Sequence, residues 1–278
     1  MKSIGRRQFL KMAGSASTLG MAAGYTGVVE RHSVLTNTYR VKVPNLPESF
    51  SGLRLVHLSD LHHGSFMSLS RIEQVVHRAN ALGGDMILCT GDYVHERRSA
   101  RQIDAVWPIL SQLTAPLGTF SVLGNHDHWA DAERSQHWLT KSGQDLRHRV
   151  TPIDRDGGRL WLVGAGDLWE DHRNLDDLLG QVPESDCRIV LAHNPDTADT
   201  AFRGRADLML AGHTHGGQVD IPLLGPPVLP VRNKSYSSGL KVSPRGLKVF
   251  ISKGIGWACF PIRFNCFPEI AVLELSPA

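Results

Sequence analysis

The sequence predicts an α/β sandwich of mixed sheets, and three observations predict it. Short apolar runs alternate with amphipathic stretches along most of the 278 residues, the pattern of strands and helices packed in layers. Toward the C-terminus two further strand-like runs, 247–252 and 269–275, occur with little helix between them, so the sheets hold more than parallel βαβ units. Five apolar runs end in clusters of Asp, Asn and His, as strands do when they deliver side chains to one edge of a sheet. The composition, 41% apolar and 21% charged, is that of a globular chain and excludes disordered, collagen-like and coiled-coil classes.

Residues 1–31 stand apart. Arg6 and Arg7 are followed by Phe9, Leu10 and Lys11, and residues 12–29 carry no charge. A basic region before a modest apolar stretch is a secretory signal layout. The Arg-Arg-x-Phe-Leu-Lys arrangement is similar to a twin-arginine signal, which engages an export machinery for folded proteins. The stretch is rich in Gly and Ser and is a poor permanent membrane span. No clean Ala-x-Ala site ends it, so a cleaved signal and a retained anchor are both open; a basic amphipathic helix of a cytoplasmic protein is the competing reading. Export predicts a place in the periplasm or on the outer face of the cell membrane.

In chain order, 32–51 predicts an edge strand from the alternation of Tyr39, Val41 and Val43. Strands follow at 53–58, 86–89, 119–123, 160–163, 188–192 and 208–211, then at 247–252 and 269–275. Helices are expected at 69–82, 101–113, 130–141 and 195–202. No repeat or second boundary appears, so 32–278 is expected to form a single domain.

The net charge of +3 is too small to argue for nucleic acid, and no nucleic-acid-binding module is evident. The four cysteines, Cys89, Cys187, Cys259 and Cys266, form no Cys-x-x-Cys pair, which removes zinc-finger and thioredoxin readings. They are expected as small core residues, with a Cys259–Cys266 disulfide left open. No Gly-x-Ser-x-Gly elbow supports a serine hydrolase.

The polar clusters carry the chemistry. They are Asp60-Leu61-His62, Gly91-Asp92, Gly124-Asn125-His126-Asp127, His193, and Gly212-His213-Thr214-His215. Asp, Asn and His offer oxygen and nitrogen ligands with no thiolate, a set suited to Mn²⁺, Fe²⁺ or Zn²⁺. Seven such ligands, Asp60, His62, Asp92, Asn125, His193, His213 and His215, exceed one tetrahedral site and suit two ions sharing a carboxylate.

The ordered set resembles the signature of calcineurin-like metallophosphoesterases, over roughly Gly52 to the C-terminus, with all five blocks present. Within that superfamily, Gly212-His-Thr-His-Gly-Gly-Gln-Val219, Pro230-Val231-Arg232, Gly254-Ile-Gly256, Pro261-Ile-Arg-Phe-Asn-Cys266 and Pro268-Glu269-Ile270 resemble a subgroup of bacterial exported phosphodiesterases. The resemblance implies a four-layer α/β/β/α sandwich with the metal site at the strand C-terminal ends. It implies two divalent ions, Mn²⁺ first and Fe²⁺ or Zn²⁺ next. Asp60, His62 and His215 would hold one ion, Asn125, His193 and His213 the other, and Asp92 would bridge. His126 and Asp127 are the implied catalytic residues, His126 protonating the leaving oxygen and Asp127 orienting it. A hydroxide held between the ions would attack phosphorus in line, with no covalent phospho-enzyme.

The substrate expected is a phosphodiester, possible in two settings: an envelope polymer or a phospholipid headgroup. A lipid-linked nucleotide pyrophosphate such as UDP-diacylglucosamine is the alternative, and a non-catalytic metal-binding scaffold is a reading from another class. His63, His95 and His128 are expected as rim residues, and His57 as a core or neighbouring residue. Arg232 and Lys234 are read either as a second phosphate contact or as a solvated turn. The apolar loop 222–230 is read as a flap over the core, or as a surface offered to a lipid in peripheral membrane contact.

Overall fold

The apolar runs fold into two sheets stacked face to face. The structure is a computed structural model that describes residues 24–258 and 260–278. The twin-arginine motif and one member of the Cys259–Cys266 pair lie outside the described residues. The first sheet contains β1 (Leu35–Val43), β2 (Arg54–Leu58), β3 (Met86–Cys89), β4 (Thr119–Ser121) and β11 (Glu269–Pro277), in the order β1-β11-β2-β3-β4. The second contains β5 (Val150–Arg155), β6 (Gly158–Gly164), β7 (Cys187–Leu191), β8 (Leu208–Ala211), β9 (Gly239–Val242) and β10 (Lys248–Ile251), in the order β5-β6-β7-β8-β10-β9. Both are mixed. β2, β3 and β4 run parallel, as do β6, β7, β8 and β10, while β11 is antiparallel to β2 and both edges of the second sheet are antiparallel.

Alternation along the strands makes the layers. Leu55, Met86 and Leu88 point between the sheets, where they meet Leu160, Leu162, Ile189, Leu191 and Phe250. Their neighbours Val56, Leu58, Ile87 and Cys89 point outward onto helices. Strands such as β3 and β8 are buried on both faces, so they read as unbroken apolar runs.

Three helices cover the first sheet: α1 (Leu69–Ala81), α2 (Ala100–Leu110) and α3 (Asn125–Lys141). Ile72, Val75, Val76 and Ala79 make the buried stripe of α1, and Ser68 caps its start by accepting from the Arg71 N–H at 3.4 Å. Helix α3 is two pieces joined at Asp131, whose backbone is extended and whose carboxylate accepts from the Arg134 N–H at 2.9 Å. The outer layer on the second sheet is thin. It consists of α4 (Asp176–Leu179), a 3₁₀ turn at Pro195–Asp199 where a longer helix is expected, and loops closing over Val163, Val190 and Met209.

The described chain enters this body before residue 32. Turns at Tyr25–Val29 and Glu30–His32 lie on it, and the buried Glu30 carboxylate accepts the Cys266 N–H at 2.6 Å. Cys89, Cys187 and Cys266 are buried thiols. Among the described residues, no helix is long and apolar enough to cross a membrane.

Candidate metal centre

All seven expected ligands converge where the two sheets meet. Asp60 and His62 follow β2, Asp92 follows β3, Asn125 follows β4, His193 follows β7, and His213 and His215 follow β8. The turns that bring them in are sharp. Asp60, His62, Asp92, His213 and His215 hold φ values of 55°, 50°, 58°, 68° and 52°, the left-handed region that non-glycine residues rarely occupy. Two glycines allow the close approach. A Cβ on Gly124 would lie 2.3 Å from Asp92 Oδ1, and one on Gly212 would lie 1.9 Å from Ser59 Oγ and 2.3 Å from Asp60 Oδ2.

The side chains form two groups: Asp60 with His62 and His215, and Asp92 with His193 and His213. In the first, His215 Nε2 lies 3.3 Å from Asp60 Oδ1 and 3.0 Å from His62 Nε2. In the second, His193 Nε2 lies 3.3 Å from Asp92 Oδ2 and 3.1 Å from His213 Nδ1. The same Asp92 oxygen is 3.4 Å from His62 Nε2, so this carboxylate faces both groups, as a bridging ligand must. Asn125 is buried beside them, and no donor among the described residues reaches its Oδ1.

The donor set fits two cations. Burial pushes His213 down to about 3 and holds His62 and His215 below the usual imidazole range, so all three offer lone pairs at neutral pH. His193 differs. Burial works against its charge, but Asp92, Asp60 and Asp167 overcome that and raise it to about 10. The surplus of buried carboxylate that protonates His193 is what a metal would neutralise. Ring orientation is fixed from behind: His193 Nδ1 donates to Thr90 O at 2.7 Å and His213 Nε2 to Pro230 O at 3.1 Å, leaving the other nitrogen of each for the centre.

His126 lies at the edge of the first group, its ring 4.6 Å from that of His62. Its backbone N–H donates to Asp92 Oδ1 at 2.8 Å, and its Nδ1 donates to the His95 carbonyl at 2.7 Å. Asp127 does something other than orient that ring. Its carboxylate accepts the backbone N–H groups of Gly124, Asp92 and Tyr93 at 2.9, 2.8 and 2.9 Å, tying two ligand loops together. The group that holds His126 is the His95 carbonyl.

The remaining histidines divide. His95 packs on both His126 and His62. His63 is tied to Met67 O, and His57 is fully buried against Thr90, where burial lowers it to about 3. Lys234 donates to the carbonyls of Leu229 and Val231, so it braces its own loop. The Arg232 backbone is pinned by Asp196, and its side chain lines a small cleft with Trp169.

Sequence reasoning missed an aromatic wall. Half-exposed Trp169 sets its ring edge-on to His213 at 4.5 Å, and Trp129 stacks near Trp169 while packing 4.8 Å from His126. The Arg97 guanidinium lies 4.1 Å over Trp129. Trp129 was within reach of a reading, since it follows Asn125-His-Asp-His128 directly; nothing local marks Trp169. Arg263 was also unassigned. It is fully buried, donates to the carbonyls of Lys253, Gly256 and Cys266, and lies 3.5 Å from His215 Nδ1.

Residues 53–217 match the family described as calcineurin-like phosphoesterase. An uncharacterized metallophosphoesterase of Bacillus subtilis, YkuE, is 31% identical over 99% of both chains. The phosphodiesterase YaeI of Escherichia coli is 32% identical over 98% of this chain and 99% of its own. Among solved structures, TT1561 of Thermus thermophilus is 14% identical over 74% of this chain and 91% of that one, with a TM-score of 0.46. The family match covers more than half of the chain and includes every ligand block, and the relatives match it end to end: this chain belongs to the calcineurin-like phosphoesterase family.

Proposed function

We propose that the chain hydrolyses phosphodiesters with two divalent ions, Mn²⁺ in the first instance and Fe²⁺ or Zn²⁺ as the alternatives. The observation that carries this is Asp92 Oδ2 lying 3.4 Å from His62 and 3.3 Å from His193, one carboxylate facing two complete ligand groups with His126 alongside. The likeness to a relative named a phosphodiesterase supports the diester over the monoester. Asp60, His62 and His215 would hold one ion, Asn125, His193 and His213 the other, and Asp92 both.

Bound there, the ions would supply Lewis acidity toward a phosphoryl oxygen and a water acidic enough to react near neutral pH. The protein supplies the rest. His126 Nδ1–H is committed to the His95 carbonyl, so Nε2 is the atom from which a proton passes to the leaving oxygen. The His126 N–H fixes the rotation of Asp92. Trp129 and Trp169 wall one side of the centre, packing against His126 and His213.

Metal-stripped protein assayed on bis-p-nitrophenyl phosphate tests this. Activity should return with Mn²⁺ and be absent in Asp92→Ala. Two bound ions with no diester turnover under Mn²⁺, Fe²⁺ or Zn²⁺ would reject it. We further propose export by the twin-arginine route to the periplasm or the outer face of the cell membrane, on the support of Arg6, Arg7 and the uncharged stretch after them. Replacing Arg6 and Arg7 by Lys should leave the protein in the cytoplasm; unchanged fractionation would count against that route.

A further inference from the structure

A second cleft of about 330 Å³ has a polar side made by Arg31, His32, Ser33, Arg71, Gln74 and Arg78, the rest of its lining being apolar. Arg71, Gln74 and Arg78 recur at three- and four-residue spacing and share one face of α1. None of the ion pairs among the described residues involves the three arginines. Their hydrogen-bond partners are neutral: Arg31 donates to Pro261 O and lies over the Trp257 ring, and Arg78 donates to Val34 O. The cleft therefore carries uncompensated positive charge. His32 registers it, since burial and the charges of Arg71 and Arg31 hold its imidazole at about 4. His32 Nε2 accepts from Arg31 Nε, so the proton sits on Nδ1, which is buried and meets no acceptor among the described residues.

An apolar surface adjoins this cleft. The Arg263 N–H donates to Thr26 O at 3.2 Å, the Gln218 side chain reaches Phe260 O at 2.8 Å and Ile262 O at 3.2 Å, and Val219 bridges to Phe264. These links lay residues 25–29, 218–228 and 260–264 side by side. Val28, Val29, Val228 and Phe260 are exposed along them, and Leu223 and Leu224 are bare at 106% and 81%. The loop 222–230, expected as a flap over the core, does bury Leu229, but its tip faces outward. Residues 25–29, the described end of the uncharged stretch, form part of this surface.

Exposed apolar side chains beside an unbalanced arginine cleft match the boundary of an anionic bilayer: the first enter the acyl region, the second takes a phosphate. We propose that this face docks the protein on an anionic lipid bilayer, with the cleft between α1 and residues 31–34 holding the phosphate of a lipid headgroup. The inference does not depend on which phosphoester is hydrolysed. Both apolar loops are tied to the ligand segment, through His213 to Pro230 O and through the Cys266 thiol to His215 O at 3.2 Å.

The test compares full-length wild type with Arg71→Glu/Arg78→Glu and with Leu223→Ser/Leu224→Ser on phosphatidylglycerol and phosphatidylcholine vesicles. Wild type should prefer phosphatidylglycerol, with hydrogen exchange slowed at 28–34, 71–78 and 223–228. The charge-reversed pair should lose that preference by about tenfold or more while its turnover of bis-p-nitrophenyl phosphate is unchanged. The serine pair should bind both vesicles more weakly. A preference that survives charge reversal places the lipid contact elsewhere and overturns the proposal. So does protection of 71–78 by glycerol phosphate but not by vesicles, which would make the ligand a soluble anion. Wild type sedimenting as a dimer that the serine pair dissociates would make the face an interface between copies, and would also overturn it.

Discussion

Asp127 is buried and accepts three backbone N–H groups from two ligand loops, whereas His126 beside it turns its ring to the centre. Adjacent substitutions should therefore fail differently. Removing the Asp127 carboxylate leaves three buried donors unpaired, a loss on the order of 3 kcal/mol or more. Asp127→Ala should lower thermal stability and metal content together. His126→Ala removes a proton donor and a single hydrogen bond between loops, the one to the His95 carbonyl, which stays free to accept elsewhere. It should cut turnover by roughly 10² to 10⁴ while both ions stay bound. Metal analysis and melting curves on the two variants separate the roles. An Asp127→Ala protein that keeps its stability and ions but loses turnover would restore Asp127 as an orienting residue of the reaction.

At the level of elements, the strands that carry ligands were legible because they are buried on both faces. Met86–Cys89 and Leu208–Ala211 appear at the lengths the apolar runs predict. β5 and β9 were not, since they are sheet-edge strands with mixed burial, one holding Pro152 and the other Lys241. Helix α3 was read from residue 130 because its first turn is spent on Asn125, His126 and Asp127 and shows no apolar stripe; the break at Asp131 separates that turn from the amphipathic part. The same logic holds in the site. Ligands that follow a strand by a few residues announce themselves through the apolar run before them. Trp169 and Arg263 lie in loops whose positions are set by tertiary contacts, with no period to mark them. Glu30 falls inside the segment 1–31 read as a signal or anchor, and what its buried carboxylate does, accepting the Cys266 N–H, depends on a residue 236 positions away that no local pattern marks.

For the molecule as a whole, the centre is a junction between sheets. Asp60, His62, Asp92 and Asn125 come from the first sheet, and His193, His213 and His215 from the second. The protein already crosses this junction with hydrogen bonds: the His213 N–H donates to Asp60 Oδ2 at 3.0 Å, and His193 Nδ1 donates to Thr90 O at 2.7 Å. Against them stand buried carboxylates near one another and five ligand residues in left-handed backbone. Two cations would relieve the first and offset the second, and they would do so only in the folded state. At a free concentration a hundred times Kd, each ion adds about 2.7 kcal/mol. At a few degrees per kcal/mol for a chain of this size, stripping both should lower Tm by on the order of 10 °C. Hydrogen exchange should quicken at the site ends of β3 and β8 together, because the loss is felt by both sheets. Scanning calorimetry before chelation, after it and after Mn²⁺ is restored measures the shift. A chelated protein shown to be free of metal that melts where the loaded one does would mean that protein contacts alone close the junction, and that the ions serve the reaction without holding the fold.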